Sequence, residues 1–184
     1  MVNYIVSGLE RSGTSMMMQI LYYGGVPVAF DDKRPPDAHN PKGYFELEGG
    51  KIINRLIDGT FPMEKYEGKV IKITAYGIKF LPPGDYRIIY MLRDIEEVLR
   101  SMAKMSGDPS VFSEKELLLR LNRYILSLMD RRDDIEYITV DYNSVLREPE
   151  REIRRVMDFI GMSMDLDRAV GAVDPRIPEK EVKA

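Results

Sequence analysis

The sequence predicts an α/β protein with a three-layer, doubly wound P-loop fold around a mostly parallel central sheet of about five strands. Short apolar runs alternate with segments of helical period, a glycine-containing loop follows the first run, and a helical segment follows that loop. Apolar runs of this kind are typical of parallel strands that are buried on both faces by crossover helices.

Each predicted strand is a run of apolar residues. The runs cover residues 4–6, 70–73, 88–92 and 137–140, with a further short strand expected near residues 26–30. Apolar residues at helical spacing predict helices near residues 16–21, 52–57, 95–102, 117–128 and 149–160. The last of these has proline at its start and Gly161 at its end, the usual asymmetry of helix termini.

Two stretches depart from this alternation. Residues 31–43 are rich in proline and charge, which predicts a surface loop. The tail 174–184 has little to bury, so it is either flexible or folds over a ligand. The length of 184 residues otherwise fits one domain spanning residues 1–184.

Composition narrows the functional classes. With 30 acidic and 27 basic residues the chain has no general affinity for nucleic acid, although a local basic pocket is compatible with this balance. No cysteine is present, which excludes disulfides, thiolate catalysis and cysteine metal sites. There is no leader pattern and no apolar stretch long enough to span a bilayer, so we expect a soluble cytoplasmic protein. The paired charges of residues 114–134 fit either a solvated helix face or an oligomer interface.

The loop at residues 7–15, SGLERSGTS, has the outline of a phosphate-binding P-loop. Gly8 and Gly13 keep the required spacing and Ser15 fills the hydroxyl position. Thr14 stands where a nucleoside-triphosphate hydrolase has its lysine, and the nearby cation is Arg11. The pattern therefore predicts phosphate binding and points away from ATP and GTP.

A second anion site is predicted after the strand at residues 88–92. Arg93 follows that strand directly, and Ser101 lies about two turns along the next helix. Open parallel sheets bind ligands at the carboxyl ends of their strands, where both side chains are expected.

Together these segments resemble the sulfotransferases that use 3'-phosphoadenosine 5'-phosphosulfate (PAPS). The matching segments are RSGTS at residues 11–15 and RDIEEVLRS at residues 93–101, and residues 40–46 and 140–162 are similar to the bacterial branch of the family. The resemblance implies a PAPS site and no metal. Its residues would be Gly8, Arg11, Ser12, Gly13, Thr14 and Ser15 around the 5' group, with Arg93 and Ser101 around the 3'-phosphate.

The chain also departs from this family. Its cytosolic animal members carry lysine where Arg11 stands, together with a glycine-rich basic segment near the C-terminus that this chain lacks. Arg176 is the candidate to supply part of that charge.

Sulfuryl transfer requires alignment, a base and cations around the developing charge. Arg11 is expected to stabilise that charge, and the resemblance favours Glu46 as the base. His39, the single histidine of the chain, is the alternative base. Lys72, inside an apolar strand, either reaches the sulfonate or points outward from an edge strand.

The acceptor is expected to be a small molecule or glycan that offers a hydroxyl or amine. Tyr44, Phe45 and Tyr76 are the candidates to line its site, although such aromatic residues equally serve in core packing. Nothing in the sequence identifies the acceptor itself.

Two other functions share parts of this sequence pattern. A P-loop nucleotide kinase would need a lysine at position 14 and an acidic magnesium ligand, for which Asp141 is the candidate. A protein that binds the desulfated product, 3'-phosphoadenosine 5'-phosphate (PAP), without catalysing transfer would keep the same anion sites.

Overall fold

The computed structural model describes residues 2–37 and 40–173. In these ranges the strands are β1 (Asn3–Gly8), β2 (Val70–Lys72), β3 (Tyr86–Leu92) and β4 (Ile135–Asp141). The α-helices are α1 (Thr14–Tyr23), α2 (Ile52–Ile57), α3 (Ile95–Ser106), α4 (Lys115–Asp130), α5 (Tyr142–Arg147), α6 (Pro149–Ile160) and α7 (Leu166–Ala172). The predicted flexible tail, residues 174–184, lies outside the described residues.

The four strands of the described chain form one parallel sheet in the order β2-β1-β3-β4. Because β1 has β2 on one side and β3 on the other, the strand order reverses at the carboxyl end of β1, where such sheets open a crevice for ligands. The predicted α/β fold class is therefore confirmed, with four strands rather than about five.

The expected strand at residues 26–30 is reduced to a single bridge between Val28 and Val70. Pro27 has no amide hydrogen, so this segment makes one hydrogen bond on each side of Val28: Val70 donates to the Pro27 carbonyl and Ala29 donates to the Val70 carbonyl. Two bonds align the segment beside β2 without extending the sheet.

Helices cover both faces of the sheet. Ile5 and Ile88 pack on the side of α2 and α4, whereas Val6 and Ile89 pack on the side of α1 and α6. Neighbouring residues of one strand face opposite sides, so the continuous apolar runs of the sequence supply two separate cores. This is the layered arrangement that the alternation of strands and helices predicts.

The helix predicted at residues 149–160 is confirmed, with Gly161 in the left-handed conformation after its last turn (φ 67°). The short helices α5 and α7 were not predicted. Each begins after an aspartate that accepts a backbone N–H, Asp141 and Asp165. No helix in the described ranges has the length and apolarity needed to cross a membrane.

An ion pair fastens the end of the sheet that lies opposite the strands' carboxyl ends. Arg132 donates to both carboxylate oxygens of Asp134, with its Nε 2.8 Å from Oδ1, and also to the carbonyls of Leu81 and Pro82. The amide of Gly84 donates to the same carboxylate at 2.9 Å. These bonds hold the loop before β3 against the loop before β4.

The hydrogen bonds from Arg132, with a smaller contribution from the Gly84 amide, lower the pKa of Asp134 to about 2 from its ordinary 3.8. The stabilisation is therefore fully present above pH 3.8 and is lost as the pH falls through about 2. We predict that Asp134→Asn lowers the free energy of unfolding by about 1–2 kcal/mol at pH 7, after allowance for solvent screening. Urea unfolding measures this, and the difference from wild type should shrink below pH 3.8.

The exposed neighbour Asp133 provides the control, because Asp133→Asn removes the same formal charge. Equal losses in the two variants, or a loss for Asp134→Asn that does not depend on pH, would show that the Arg132 pair contributes nothing specific.

Candidate active site

A cleft of about 370 Å³ opens at the carboxyl edge of the sheet. Every strand contributes to its wall: Gly8 ends β1, Lys72 ends β2, Arg93 follows β3 and Tyr142 follows β4. Residues that are distant in sequence thus meet at one place because all four strands run in the same direction.

Two glycines make the P-loop possible. Gly8 has φ 149° and Gly13 has φ 103°, values that residues with side chains rarely adopt. A Cβ on Gly8 would lie 2.7 Å from the Met91 carbonyl oxygen, and a Cβ on Gly13 would lie 2.5 Å from the Tyr142 ring. The loop can therefore pass close to β3 and Tyr142 only with glycine at both positions.

The first turn of α1 presents free anion-binding capacity to the cleft. Gly13 caps this ten-residue helix without a side-chain hydrogen bond, and no acidic residue lies in its first turn. The amides and the positive end of the helix dipole are thus available to an anion beside Thr14 and Ser15. Ser12 is turned inward, because its buried hydroxyl donates to the Leu9 carbonyl at 2.6 Å and so stabilises the loop itself.

The two predicted anion sites are connected. Arg93 donates from Nη1 to the Arg11 carbonyl at 3.1 Å, and Arg11, at φ 63°, donates from Nε to the Ser101 hydroxyl at 3.0 Å. The guanidinium of Arg93 also lies 4.0 Å from the Tyr142 ring centre and pairs with Glu97 at 3.0 Å. Arg11 and Arg93 line the cleft, whereas Ser101 lies behind Arg11, outside the lining.

Lys72 points into the cleft rather than outward from its edge strand. Its ammonium donates to the Ser15 hydroxyl at 2.9 Å, to the Tyr44 carbonyl at 3.0 Å and to Glu46 Oε1 at 2.9 Å. Burial lowers the pKa of Lys72, and the negative charge of Glu46 offsets part of this effect. Three bonds match the three donors of an ammonium group, so the cation is fully coordinated by the chain.

Glu46 is held between two cations. Its Oε1 accepts from Lys72, and its Oε2 accepts from Arg34 Nη1 at 3.0 Å. Gly50, at φ 83°, leaves the space for this carboxylate, since a Cβ there would lie 2.8 Å from Oε2. The predicted base is therefore fixed in the cleft with both oxygens engaged.

The predicted aromatic residues have different positions. Tyr44 lines the cleft, where burial and the hydrogen bond that it donates to Asp37 raise the pKa of its hydroxyl. Phe45 is instead buried in the core, packed against Phe30 and Tyr22. The backbone at Phe45 is not extended, since its φ of 54° lies in the left-handed region. The structure thus assigns Phe45 to packing.

Three further candidates lie away from the cleft or outside the described chain. Tyr76 is exposed and contacts Phe80, away from the residues that line the cleft. Asp141, the candidate magnesium ligand of the kinase alternative, accepts from the amide and hydroxyl of Ser144 at the start of α5. His39 lies outside the described residues.

The sequence model of the sulfotransferase family matches residues 78–166, which include β3, Arg93, α3 and the segment from β4 to α6. This match to a little under half of the chain supports an assignment to the sulfotransferase family. Among curated proteins, no sequence matches the chain.

Solved structures of two sulfotransferase-fold proteins agree with this assignment. The sulfotransferase domain of the Synechococcus PCC 7002 olefin synthase has a TM-score of 0.59 and 16% identity, over 95% of this chain and 81% of that domain. Retinol dehydratase, solved with androsterone and the inactive cofactor PAP, has a TM-score of 0.55 and 14% identity, over 94% of this chain and 64% of that protein. At these identities the likeness establishes the fold.

Sequence reasoning missed Tyr142 and Arg34, which both line the cleft. Tyr142 directly follows β4, so the rule that identified Arg93 would have identified it as well. Arg34 lies in the proline- and charge-rich loop of residues 31–43, and no sequence motif marked it as a cleft residue. That loop is brought to the cleft by Gln19, which donates to Asn40 and to the Gly43 carbonyl, both at 3.0 Å.

The close approach of Gly13 and Tyr142 leads to a prediction about stability. We expect Gly13→Ala to cost about 2–4 kcal/mol, because it combines an unfavourable φ with a clash against the ring. Gly25→Ala is the matched control: Gly25 also has a positive φ, 89°, but a Cβ there would meet no atom within 4 Å. Urea unfolding of both variants separates crowding from backbone strain.

A second comparison tests the cause directly. Adding Tyr142→Ala should recover part of the loss in Gly13→Ala, since it removes the ring that the new methyl group meets. Additive losses would mean that the clash is relieved elsewhere in the loop.

Proposed function

We propose that the protein is a PAPS-dependent sulfotransferase that transfers a sulfuryl group in line to a hydroxyl or amine of an acceptor, without a metal ion. The observation that carries the proposal is a P-loop with Thr14 in the lysine position whose cleft also contains Arg93 after the neighbouring strand. The family assignment and the fold support the same reaction class.

The residues of the cleft fit a ligand with anionic groups at both ends. The amides of the P-loop and of α1, with Arg11, Thr14 and Ser15, would hold the 5' group. Arg93 would hold the 3'-phosphate, and Ser101, which lies behind Arg11 outside the cleft lining, would contribute by accepting from Arg11 and holding that side chain in position. PAP bound to retinol dehydratase is consistent with such a ligand.

PAPS, when bound, supplies the activated sulfuryl group. Arg11 is placed to stabilise the charge that develops on the departing oxygens, because its planar guanidinium can donate to two oxygens at once. Lys72 holds Ser15 and Glu46 beside this position. Glu46 would take the proton of the acceptor, and His39 is the alternative base.

Ligand binding tests the cofactor assignment. We predict that PAP raises the melting temperature without magnesium, and that Arg93→Ala weakens this stabilisation. At about one hundred times its dissociation constant a ligand contributes roughly 2.7 kcal/mol. ATP and GTP, each with and without magnesium, are the competing ligands. Arg120→Ala is the control, since it removes the same charge from an exposed position on α4.

Stabilisation only by a triphosphate with magnesium would reject the proposal in favour of the kinase alternative. Equal effects of PAP on wild type and Arg93→Ala would remove Arg93 from the 3' site.

Catalysis is tested separately at Glu46. We predict that Glu46→Gln lowers kcat by about 100-fold or more, because the amide cannot take the proton of the acceptor. PAP should stabilise the variant as it stabilises wild type, since Glu46 lies outside the predicted cofactor contacts. An acceptor found by screening with PAPS provides the rate measurement.

An unchanged kcat in Glu46→Gln would show that another group is the base, and His39 would be tested first. PAP binding without transfer to any acceptor, in wild type, would instead support the non-catalytic alternative.

A further inference from the structure

Arg34 forms the same arrangement on one wall of the cleft that Arg93 forms on the other. The guanidinium of Arg34 lies 3.6 Å from the centre of the Tyr44 ring and pairs with Glu46 at 3.0 Å. The guanidinium of Arg93 lies 4.0 Å from the centre of the Tyr142 ring and pairs with Glu97 at 3.0 Å. In both places an aromatic face and a carboxylate hold an arginine ready at the cleft surface.

Among the residues that line the cleft, the wall formed by Arg34, Glu46 and Lys72 carries an excess of positive charge; Asp37, which accepts from the Tyr44 hydroxyl, lies outside the lining. The three wall residues carry two positive charges and one negative charge, and the buried Lys72 is already bonded to three acceptors of the chain. Arg34 is more open, with 39% of its side chain exposed. A guanidinium carries five N–H donors, more than its bond to Glu46 uses. Arg34 is therefore the cation of this wall that can bind a further anion.

Neither Tyr44 nor Phe45 offers an open ring face to a flat apolar acceptor. The face of Tyr44 that stacking would require is covered by Arg34, and Phe45 is buried in the core. The cleft lining includes the apolar side chains of Met16, Pro41 and Ile73, but it also presents Asn40, Thr74 and the Gly49–Gly50 backbone, which can form hydrogen bonds with a polar acceptor.

We propose that the acceptor is a hydroxyl-bearing molecule with an anionic group near the reacting hydroxyl, and that Arg34 binds this group. The proposal rests on the proposed function, because it assigns the side of the cleft that the PAPS contacts leave open. A carboxylate or sulfate fits the guanidinium fork, which can donate two parallel hydrogen bonds to either group.

This assignment also gives Glu46 a free oxygen. When the acceptor's anion also takes the Nη1 donor that Glu46 uses, Oε2 of Glu46 is released while Oε1 keeps its bond to Lys72. The carboxylate then has one oxygen available for the acceptor's proton and one bond that holds it in place. Arg34 is thus a specificity-determining residue whose contact with the acceptor prepares the base.

Glucuronate and glucose are suitable probes because they differ only in the carboxylate at C6. Wild type, Arg34→Gln and Arg55→Gln would be saturated with PAP, and each sugar titrated at matched ionic strength while the melting temperature is measured. Arg55 is the matched control, since its side chain is also 39% exposed and pairs with Glu48 at 2.6 Å outside the cleft lining.

We expect glucuronate to stabilise wild type and Arg55→Gln more than glucose does, and its apparent affinity to fall about tenfold or more in Arg34→Gln. Stabilisation by PAP should be equal in the three proteins, which shows that the variants are folded. An equal response to the two sugars, or a preference for glucuronate that persists in Arg34→Gln, overturns this inference and leaves the proposed function standing. Absence of PAP stabilisation in wild type overturns both.

Discussion

The ammonium group of Lys72 joins three segments that line the cleft: β2 itself, the start of α1 and the segment at residues 44–46. It donates to the Ser15 hydroxyl, the Tyr44 carbonyl and Glu46. Removing a cation from water costs several kcal/mol unless its donors find partners, so these three acceptors must stay close together. One buried charge on β2 therefore couples the position of α1 to that of the wall formed by Tyr44 and Glu46.

The direction of the strands explains why the residues that line the cleft lie at one edge of the sheet. Since the strands of the described sheet are parallel, the ends of β1, β2, β3 and β4 lie side by side, and each contributes at least one residue to the cleft. The opposite edge is closed by the pair of Arg132 and Asp134, which ties loops together without forming a site. The cleft and the stabilising ion pair thus lie at opposite ends of the same sheet.

The sequence predicted what depends on local pattern. The strands, the longer helices and the fold class follow from apolar period, and Arg93 follows from its place after a strand. The strand expected at residues 26–30 is reduced to one bridge because Pro27 removes a hydrogen-bond donor. The apolar residues Val26 and Val28 predict a strand, but their composition does not account for that missing donor. The place of Arg34 in the cleft could not be predicted for another reason: it depends on hydrogen bonds from Gln19 to loop residues more than twenty positions further along the chain.

The paired carboxylates explain how both arginines can be held ready and still be available to an anion. Glu97 also accepts from Asn143, at 3.2 and 3.3 Å, and Glu46 also accepts from Lys72. If an anion takes the arginine, each carboxylate keeps a second donor, so neither is left as an unpaired charge in a partly buried site. The arginines, meanwhile, remain stacked on Tyr142 and Tyr44 and lose little conformational freedom on binding. If the carboxylate had no second donor, binding of an anion to the arginine would leave that carboxylate unpaired, and the affinity for the anion would be lower.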